Sequence, residues 1–151
     1  MFLELTHTEF AKADAETVWK MWSDCSTWSE WDQGIEWCKL KEGSKFELNG
    51  EAYLLPKGST YPLAICFIEC TYKKSFTDEG KFELGSIQFS HNVASYKDGV
   101  QITHSLKYIP TDDRAKQVFE THMLPKIQKE LPESVRSLAK CVEEKCKART
   151  V

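Results

Sequence analysis

Two histidines, His91 and His104, are the residues whose type and spacing best fit chemistry in this chain. The dipeptide Asp98-Gly99 between them marks a β-hairpin. If these two residues form the loop, Val93 lies opposite His104 and Leu106 opposite His91, so both imidazoles share one face of the sheet. On a concave apolar face, the pair would orient a ligand carbonyl or hydroxyl, or act as general acid and base near neutral pH.

Three alternatives compete with that chemistry. Each histidine could instead hydrogen-bond within the sheet or to a helix, and this structural role is the one we favour. A three-residue bulged loop would remove the shared face altogether. A zinc site would need a further ligand that the sequence does not make obvious, so we predict no metal.

The tryptophan-rich segment near the N-terminus holds the second candidate set. Helical spacing favours core packing for its tryptophans, with Trp28 and Trp31 the pair most suited to border a pocket mouth. Asp32 could serve as a catalytic carboxylate beside that mouth. An aspartate before Gln-Gly more often caps a turn, and we favour that interpretation.

Composition and missing motifs disfavour several functions. The chain has 20 Lys and Arg against 23 Asp and Glu without blocks of like charge, so we expect no binding to nucleic acid. No GxSxG, P-loop or strand-linked GxGxxG motif occurs, and we predict no cofactor. No stretch approaches the roughly 20 apolar residues of a spanning helix, so we expect no stable membrane insertion. The first residues lack a signal-peptide pattern, which predicts a cytoplasmic protein. Because that compartment is reducing, we expect the cysteines to be free thiols.

The first half of the chain is predicted to contain one strand, two short helices and the start of a sheet. A strand over residues 2–10 precedes a helix that begins at the N-cap Asp14 and stops near Ser23-Asp24, and a second short helix covers 26–31. Strands follow at 35–40 and 46–55, with a turn at 41–43, although Asn49-Gly50 could instead form a hairpin or bulge.

The second half is predicted to complete the sheet and to end in a long helix. The nearly continuous apolar run at 62–72 is typical of a strand covered on both faces. Further strands are predicted at 73–77, 82–96 and 100–109, with turns at 78–80 and 97–99. From 112 to 147, apolar residues recur at steps of three or four, which indicates an amphipathic helix that Pro125 and Pro132 must kink or divide.

These elements predict an α+β fold of one domain over residues 1–151. A curved antiparallel sheet of six to seven strands wraps around the long C-terminal helix, and the two short helices after the first strand close one end.

The sequence also carries a set of short segments in a characteristic order. They are Ala15-Glu16-Thr17-Val18-Trp19, Trp22-Ser23-Asp24, Trp28, Trp31-Asp32, Gly34-Ile35, Gly43-Ser44-Lys45-Phe46, Pro56-Lys57-Gly58, Lys74-Ser75-Phe76, Phe89-Ser90-His91 and Asp98-Gly99-Val100-Gln101-Ile102-Thr103-His104.

Through the order and spacing of these segments, the whole chain resembles the START-like superfamily, also called SRPBCC. Within it, the chain is most similar to small bacterial proteins described as polyketide cyclase/dehydrase or lipid-transport-like. The resemblance implies a helix-grip cavity for lipids, polyketides, steroids or similar apolar ligands. Aromatase/cyclase relatives place arginines in that cavity, whereas the arginines here are Arg114, Arg136 and Arg149, in or beyond the C-terminal helix, which counts against cyclase chemistry.

The function we expect is the binding or carrying of a hydrophobic or amphipathic small molecule in an internal cavity, by a monomer or homodimer. One alternative is an enzyme of the cyclase/dehydrase type that acts through His91, His104 or Asp32. Another is a protein-interaction module of the same fold. The residues expected to line the cavity are Trp28, Trp31, Ile35, Phe46, Leu48, Phe89, His91, His104, Leu106, Phe119, Met123 and Ile127.

Overall fold

Residues 2–149 are described by a computed structural model, and their elements follow the predicted order of strand, helices, strands and helix. In chain order these are β1 (Leu3–Ala11), α1 (Ala15–Ser23), α2 (Trp28–Trp31), β2 (Ile35–Leu40), β3 (Glu51–Pro56), β4 (Leu63–Thr71), β5 (Ser75–Phe82), β6 (Gly85–Tyr96), β7 (Gly99–Pro110), α3 (Asp113–His122) and α4 (Leu124–Arg149), with a 3-10 turn at Cys25–Thr27.

Seven antiparallel strands form one curled sheet in the order β1-β7-β6-β5-β4-β3-β2. The long helix α4 packs against β1 and β7, and both short helices, α1 and α2, pack against α4. The sheet has one apolar face and the helix has one apolar side. Wrapping the sheet around α4 buries these two apolar surfaces against each other. The predicted helix-grip architecture is confirmed.

Strand alternation decides which side chains reach the interior, because successive residues of a strand point to opposite faces. In β7, every second residue is buried while the residues between them are half-buried. The buried set of β7 is Val100, Ile102, His104, Leu106 and Tyr108.

Helix α1 starts at Asp14, as predicted from the sequence. One Asp14 carboxylate oxygen, Oδ1, accepts hydrogen bonds from the Thr17 backbone N–H at 2.8 Å and from the Thr17 hydroxyl at 2.7 Å. The other oxygen accepts from the Arg149 guanidinium at 2.6 Å, which ties the start of α1 to the end of α4.

Replacing Asp14 with alanine is expected to lower the free energy of unfolding by about 1 kcal/mol, because the first turn of α1 loses its cap. Urea denaturation measures the loss. Asparagine at this position also caps helices, so Asp14→Asn should retain most of the stability. An Asp14→Asn loss as large as that of Asp14→Ala would instead assign the effect to the ion pair with Arg149.

The predicted turn at residues 78–80 is wrong. These residues lie inside β5, where Asp78 pairs with Phe67 of β4 and with Phe89 of β6. The chain turns earlier, near Lys73, whose φ of 59° is left-handed, and again at residues 83–84, which divide the predicted strand 82–96. Asp-Glu-Gly is a composition typical of turns, but pairing with both neighbouring strands overrides that local preference.

Two further strand predictions are also corrected. Only Glu51–Pro56 of the predicted strand 46–55 is a strand, because the chain bends at Asn49, whose φ is 69°. A Cβ atom on Gly50 would collide with the Lys45 carbonyl oxygen, so this bend needs glycine. The apolar run of β4 is covered on one face only, since Ile68 on its outer face is 38% exposed.

The C-terminal helix is divided where proline requires it. Helix α3 ends at His122 and α4 begins at Leu124, so Pro125 falls in the first turn of α4, where its missing N–H costs no helical hydrogen bond. Pro132 lies inside α4. Within residues 2–149, no helix combines the length and the apolar character needed to cross a membrane.

Candidate functional site

His91 and His104 share the inner face of the sheet, as the sequence predicted. The hairpin loop is Lys97-Asp98 and not Asp98-Gly99, because Tyr96 pairs with Gly99, and the two histidines therefore lie directly opposite each other. A register shift of two residues leaves every side chain on its original face. The prediction that His91 and His104 share one face is therefore confirmed, although the predicted pairing of β6 with β7 was wrong by two residues.

Both histidines are held by hydrogen bonds inside the fold. His91 Nδ1 lies 3.2 Å from the Phe76 carbonyl oxygen, and the His91 ring stacks on the Phe76 ring with centroids 3.9 Å apart. His104 Nδ1 lies 3.4 Å from the Ser134 hydroxyl oxygen of α4. These contacts match the structural role that we favoured over catalysis.

Burial makes both imidazoles neutral. Loss of solvent lowers the pKa of His91 to about 3, against a smaller opposing effect of its hydrogen bond to Phe76. Burial lowers the pKa of His104 well below its ordinary value, and the nearby His91 lowers it further. Neither ring is protonated near pH 7, so neither offers the proton that a general acid requires.

A cluster of buried rings fills one half of the interior. This ring cluster consists of Trp22, Trp28, Trp31, Phe67, Phe76, His91 and His104, with the half-buried Phe46 packed against it. Trp28 and Trp31 are each only 2% exposed, so they pack in the core, as their helical spacing predicted, and they do not border a pocket mouth. The Trp28 indole N–H donates to the Trp22 carbonyl oxygen at 2.8 Å.

The other half of the interior is less completely buried. It lies beneath the junction of α3 and α4, where the Phe119 ring stacks on Tyr108 with centroids 3.8 Å apart. Met123, at the junction itself, is half-buried. We call this group the junction cluster: Ile87, Leu106, Tyr108 and Phe119 are buried, and Leu3, Leu5, Leu63, Phe82, Leu84, Phe89, Met123, Leu124 and Ile127 are partly buried around them.

The remaining residues predicted to line a cavity are distributed between these regions. Ile35 is buried in the same core as the ring cluster. Phe89, Leu106, Phe119, Met123 and Ile127 all belong to the junction cluster. Leu48 is 57% exposed and lies in the bend before β3, away from the inner face of the sheet.

Asp78, which sequence reasoning had placed in a turn, is a buried carboxyl on the inner face. The residue is 3% exposed. Among residues 2–149, no side-chain hydrogen bond or ion pair reaches its carboxyl group. Burial raises the pKa of Asp78 to about 8, and the negative charge of Asp32 contributes to the rise. The alternation of Phe76, Asp78, Gly80 and Phe82 was the sequence signal that could have revealed this position.

Asp32 is the second carboxyl of this region. Its Oδ1 accepts the Gly34 backbone N–H at 2.9 Å, which is the turn cap that we favoured for it. Burial raises the pKa of Asp32 to about 6, and the Glu130 charge adds to the rise, while the Gly34 hydrogen bond and the Lys57 charge oppose it. The pKa of Asp32 therefore lies below neutral pH and that of Asp78 lies above it.

Glu130 of α4 brings a third carboxyl close to the Asp32 turn. A Cβ atom on Gly34 would lie 2.6 Å from Glu130 Oε2, which shows how closely the Glu130 carboxylate approaches this turn. Glu130 also pairs with Lys126 of α4 at 3.7 Å. The end of the interior beside Asp78 thus has three acidic groups, Asp78, Asp32 and Glu130. The lysines near it, Lys57 and Lys126, lie toward the protein surface.

Metal-ligating groups and thiols were the other candidates for chemistry in the described part of the chain. Within residues 2–149, no group of three or more His, Cys, Asp or Glu side chains is arranged to hold a metal ion. All six cysteines are free. The neighbouring Cys25 thiol and burial both raise the pKa of Cys38, which keeps it in the unreactive thiol form.

Two open surface depressions occur outside the inner face. One, of about 450 Å³, is lined by residues that include Lys12, Asp14 and Arg149. The other, of about 490 Å³, lies along α3 between Asp113 and Glu120. Neither depression lies between the sheet and α4, where a cavity was predicted.

Solved structures with the same fold are numerous, although the sequence itself finds no match. No known family's sequence profile matches the chain, and no curated protein matches it. A structural genomics target from Nitrosomonas europaea superposes with a TM-score of 0.74 at 15% identity, over 97% of this chain and 97% of that chain.

Two plant proteins are also similar in structure. Major latex-like protein 151 from Panax ginseng superposes with a TM-score of 0.71 at 14% identity, over 94% of this chain and 98% of that chain. Truncated norcoclaurine synthase from Thalictrum flavum superposes with a TM-score of 0.68 at 11% identity, over 94% of each chain. At these identities the likeness shows the fold alone, and the chain has the helix-grip fold that these structures share.

Proposed function

We propose that this protein binds a hydrophobic or amphipathic small molecule between its sheet and the α3–α4 junction. The observation that supports this most directly is the contrast between the two halves of the interior. Large buried rings fill the ring cluster, whereas the junction cluster has more partly buried apolar side chains than buried ones. Members of this fold family bind small hydrophobic ligands, which agrees with the proposal.

The half-buried residues of the junction cluster supply the contact surface for such a ligand. Phe89 on β6 faces the interior, and Met123, Leu124 and Ile127 lie above it at the start of α4. Burying apolar ligand surface contributes about 25 cal/mol per Å², so contact with about 200 Å² would contribute about 5 kcal/mol before the costs of association.

The junction of α3 and α4 provides the place where a ligand would enter. Pro125 lies in the first turn of α4 and has no N–H, so no backbone bond from it continues the helical ladder of α3 across the junction. The bonds that remain run from Met123 N–H to the Phe119 carbonyl at 2.9 Å and from Ile127 N–H to the Met123 carbonyl at 3.1 Å. A helix that lacks backbone bonds at one point opens there at lower cost than elsewhere.

Filling the junction cluster with a larger side chain is the direct test of this site. Ile127→Trp is expected to weaken the binding of a neutral solvatochromic dye, Nile red, by about tenfold or more, which corresponds to about 1.4 kcal/mol. Val118→Trp on α3 is the matched control, because Val118 is 37% exposed and lies outside the cluster. Fluorescence titration measures both affinities, and thermal unfolding checks that both variants are folded.

Two results would reject the proposed site. One is a folded Ile127→Trp protein that binds the dye as tightly as the wild type. The other is wild-type protein that binds neither the dye nor any apolar compound carried through purification, as judged by native mass spectrometry before and after organic extraction.

A further inference from the structure

The Asp78 carboxyl lies at the boundary between the two halves of the interior. Its strand neighbour Phe67 belongs to the ring cluster, and its neighbour on the other side, Phe89, belongs to the junction cluster. Side chains directly opposite each other on neighbouring strands have Cβ atoms about 5 Å apart. The carboxyl therefore adjoins the apolar surface on which the proposed ligand would lie.

Within residues 2–149, no group compensates this buried carboxyl. Among the described residues, none donates a hydrogen bond to Asp78, and no lysine or arginine charge acts on it. The two lysines nearest the acidic end are engaged elsewhere: Lys57 acts on Asp32, and Lys126 pairs with Glu130. Asp78 is 3% exposed and has no partner among the described side chains, so its carboxyl is available to a donor that a ligand brings.

The neighbouring groups define the chemistry of that partner. The Asp32 charge acts on Asp78, and Asp32 in turn feels the Glu130 charge, so this end of the interior has a negative potential. The basic side chains on the inner face, His91 and His104, are neutral. A ligand ammonium group would supply up to three donors and a positive charge, and charge-assisted bonds are the stronger class of hydrogen bond.

We infer that the ligand is an amphipathic amine, whose apolar body lies on the junction cluster and whose protonated nitrogen binds the Asp78 carboxylate. The inference rests on the function proposed above, because it names the polar end of the same ligand. It also implies discrimination: a hydroxyl group can exchange only a neutral hydrogen bond with Asp78, whereas a ligand carboxylate is repelled by the Asp32 charge at this end of the interior.

Three ligands with the same apolar body and different polar ends test the inference. Octylamine, 1-octanol and octanoate are titrated against the wild-type protein by calorimetry at one pH, 7.5, below their micellar concentrations. We expect octylamine to bind about tenfold or more tightly than octanol, and octanoate to bind more weakly than octanol.

The Asp78→Asn variant removes the charge and keeps the shape of the side chain. It should bind octanol within about twofold of the wild type and lose the preference for octylamine over octanol, because only the charge-assisted bond is removed. Asp98→Asn is the matched control, since the Asp98 side chain is 69% exposed in the hairpin loop, where it pairs with Lys12 at 3.7 Å. This control should retain the full preference for the amine.

The outcomes separate the two proposals. Equal binding of all three compounds by the wild type, or an amine preference that survives in Asp78→Asn, would overturn the amine inference and leave hydrophobic binding intact. Failure of all three compounds and of Nile red to bind would overturn both. Preference for octylamine in the wild type and in Asp98→Asn, but not in Asp78→Asn, would support both.

Discussion

At pH 7, the Asp78→Asn variant is expected to unfold at a higher temperature than the wild-type protein. The ordinary pKa of an aspartate is 3.8, whereas burial first and the Asp32 charge second raise the pKa of Asp78 in the folded protein to about 8. Between these two values, the folded protein holds a proton that the unfolded chain has released. The contribution of Asp78 to the stability of the wild type is therefore most favourable below pH 3.8 and is lost as the pH rises toward 8.

The difference between the two proteins should widen by about 1.4 kcal/mol for each pH unit between pH 5 and pH 7. This is about 3 kcal/mol in total, or roughly 6–12 °C in melting temperature for a chain of this size. His91 and His104 destabilise the fold as the pH falls below 6.5, since burial lowers the pKa of each. Both proteins contain these histidines, so the difference between the two curves isolates Asp78.

Thermal unfolding in a series of buffers from pH 5 to pH 8 measures this effect. Asp98→Asn is again the control, and its curve should stay parallel to that of the wild type because its side chain is 69% exposed. Parallel curves for the wild type and Asp78→Asn would mean that the Asp78 carboxyl is solvated in the folded protein. A solvated carboxyl would also remove the basis for the amine inference.

Truncating Trp28 to alanine is expected to destabilise the protein by about 3–5 kcal/mol. Trp28 is 2% exposed, and its ring stacks on Phe76 with centroids 5.6 Å apart. The substitution removes the ring contacts, leaves a void in the ring cluster, and leaves the Trp22 carbonyl oxygen without the indole N–H that it accepts. Urea denaturation measures the loss as a change in the midpoint.

Two comparison variants show whether dense packing is the cause. Trp28→Phe keeps a ring in place and loses the hydrogen bond and part of the volume, so it should cost clearly less than alanine. Trp37→Ala removes the half-buried tryptophan of the edge strand β2 and should cost less still, because half of such a site is already solvated. If Trp28→Ala costs no more than Trp37→Ala, the ring cluster is not tightly packed, and ligand binding in that half of the interior becomes the better proposal.

Much of the architecture was predictable because it depends on neighbours within a few residues. Asp14 caps α1 through Thr17, three residues away. The break before Pro125 follows from a single missing N–H. The shared face of His91 and His104 follows from the period of two in a strand, and it survived a register error of two residues for that reason.

The candidate site was predicted less well because local patterns do not report burial. The composition of Asp78-Glu79-Gly80 is typical of a turn, and only pairing with β4 and β6 shows that Asp78 faces the interior. Leu48 was expected to line the cavity from the predicted strand 46–55, yet the bend at Asn49 leaves Leu48 exposed. Helical spacing predicted core packing for Trp28 and Trp31, but it could not exclude a place at a pocket mouth, and only their burial decides this.

By itself, the sequence determined the helix-grip order of strands and helices, the cap of α1, the helix break at Pro125, and the inward face that His91 and His104 share. Each of these depends on local periodicity or on the backbone chemistry of one residue. Only the tertiary structure decided that buried rings fill half of the interior and that the Asp78 carboxyl lies unpaired beside the other half. Burial and pairing depend on side chains that are distant in the chain, so they exist only once the sheet has closed around α4.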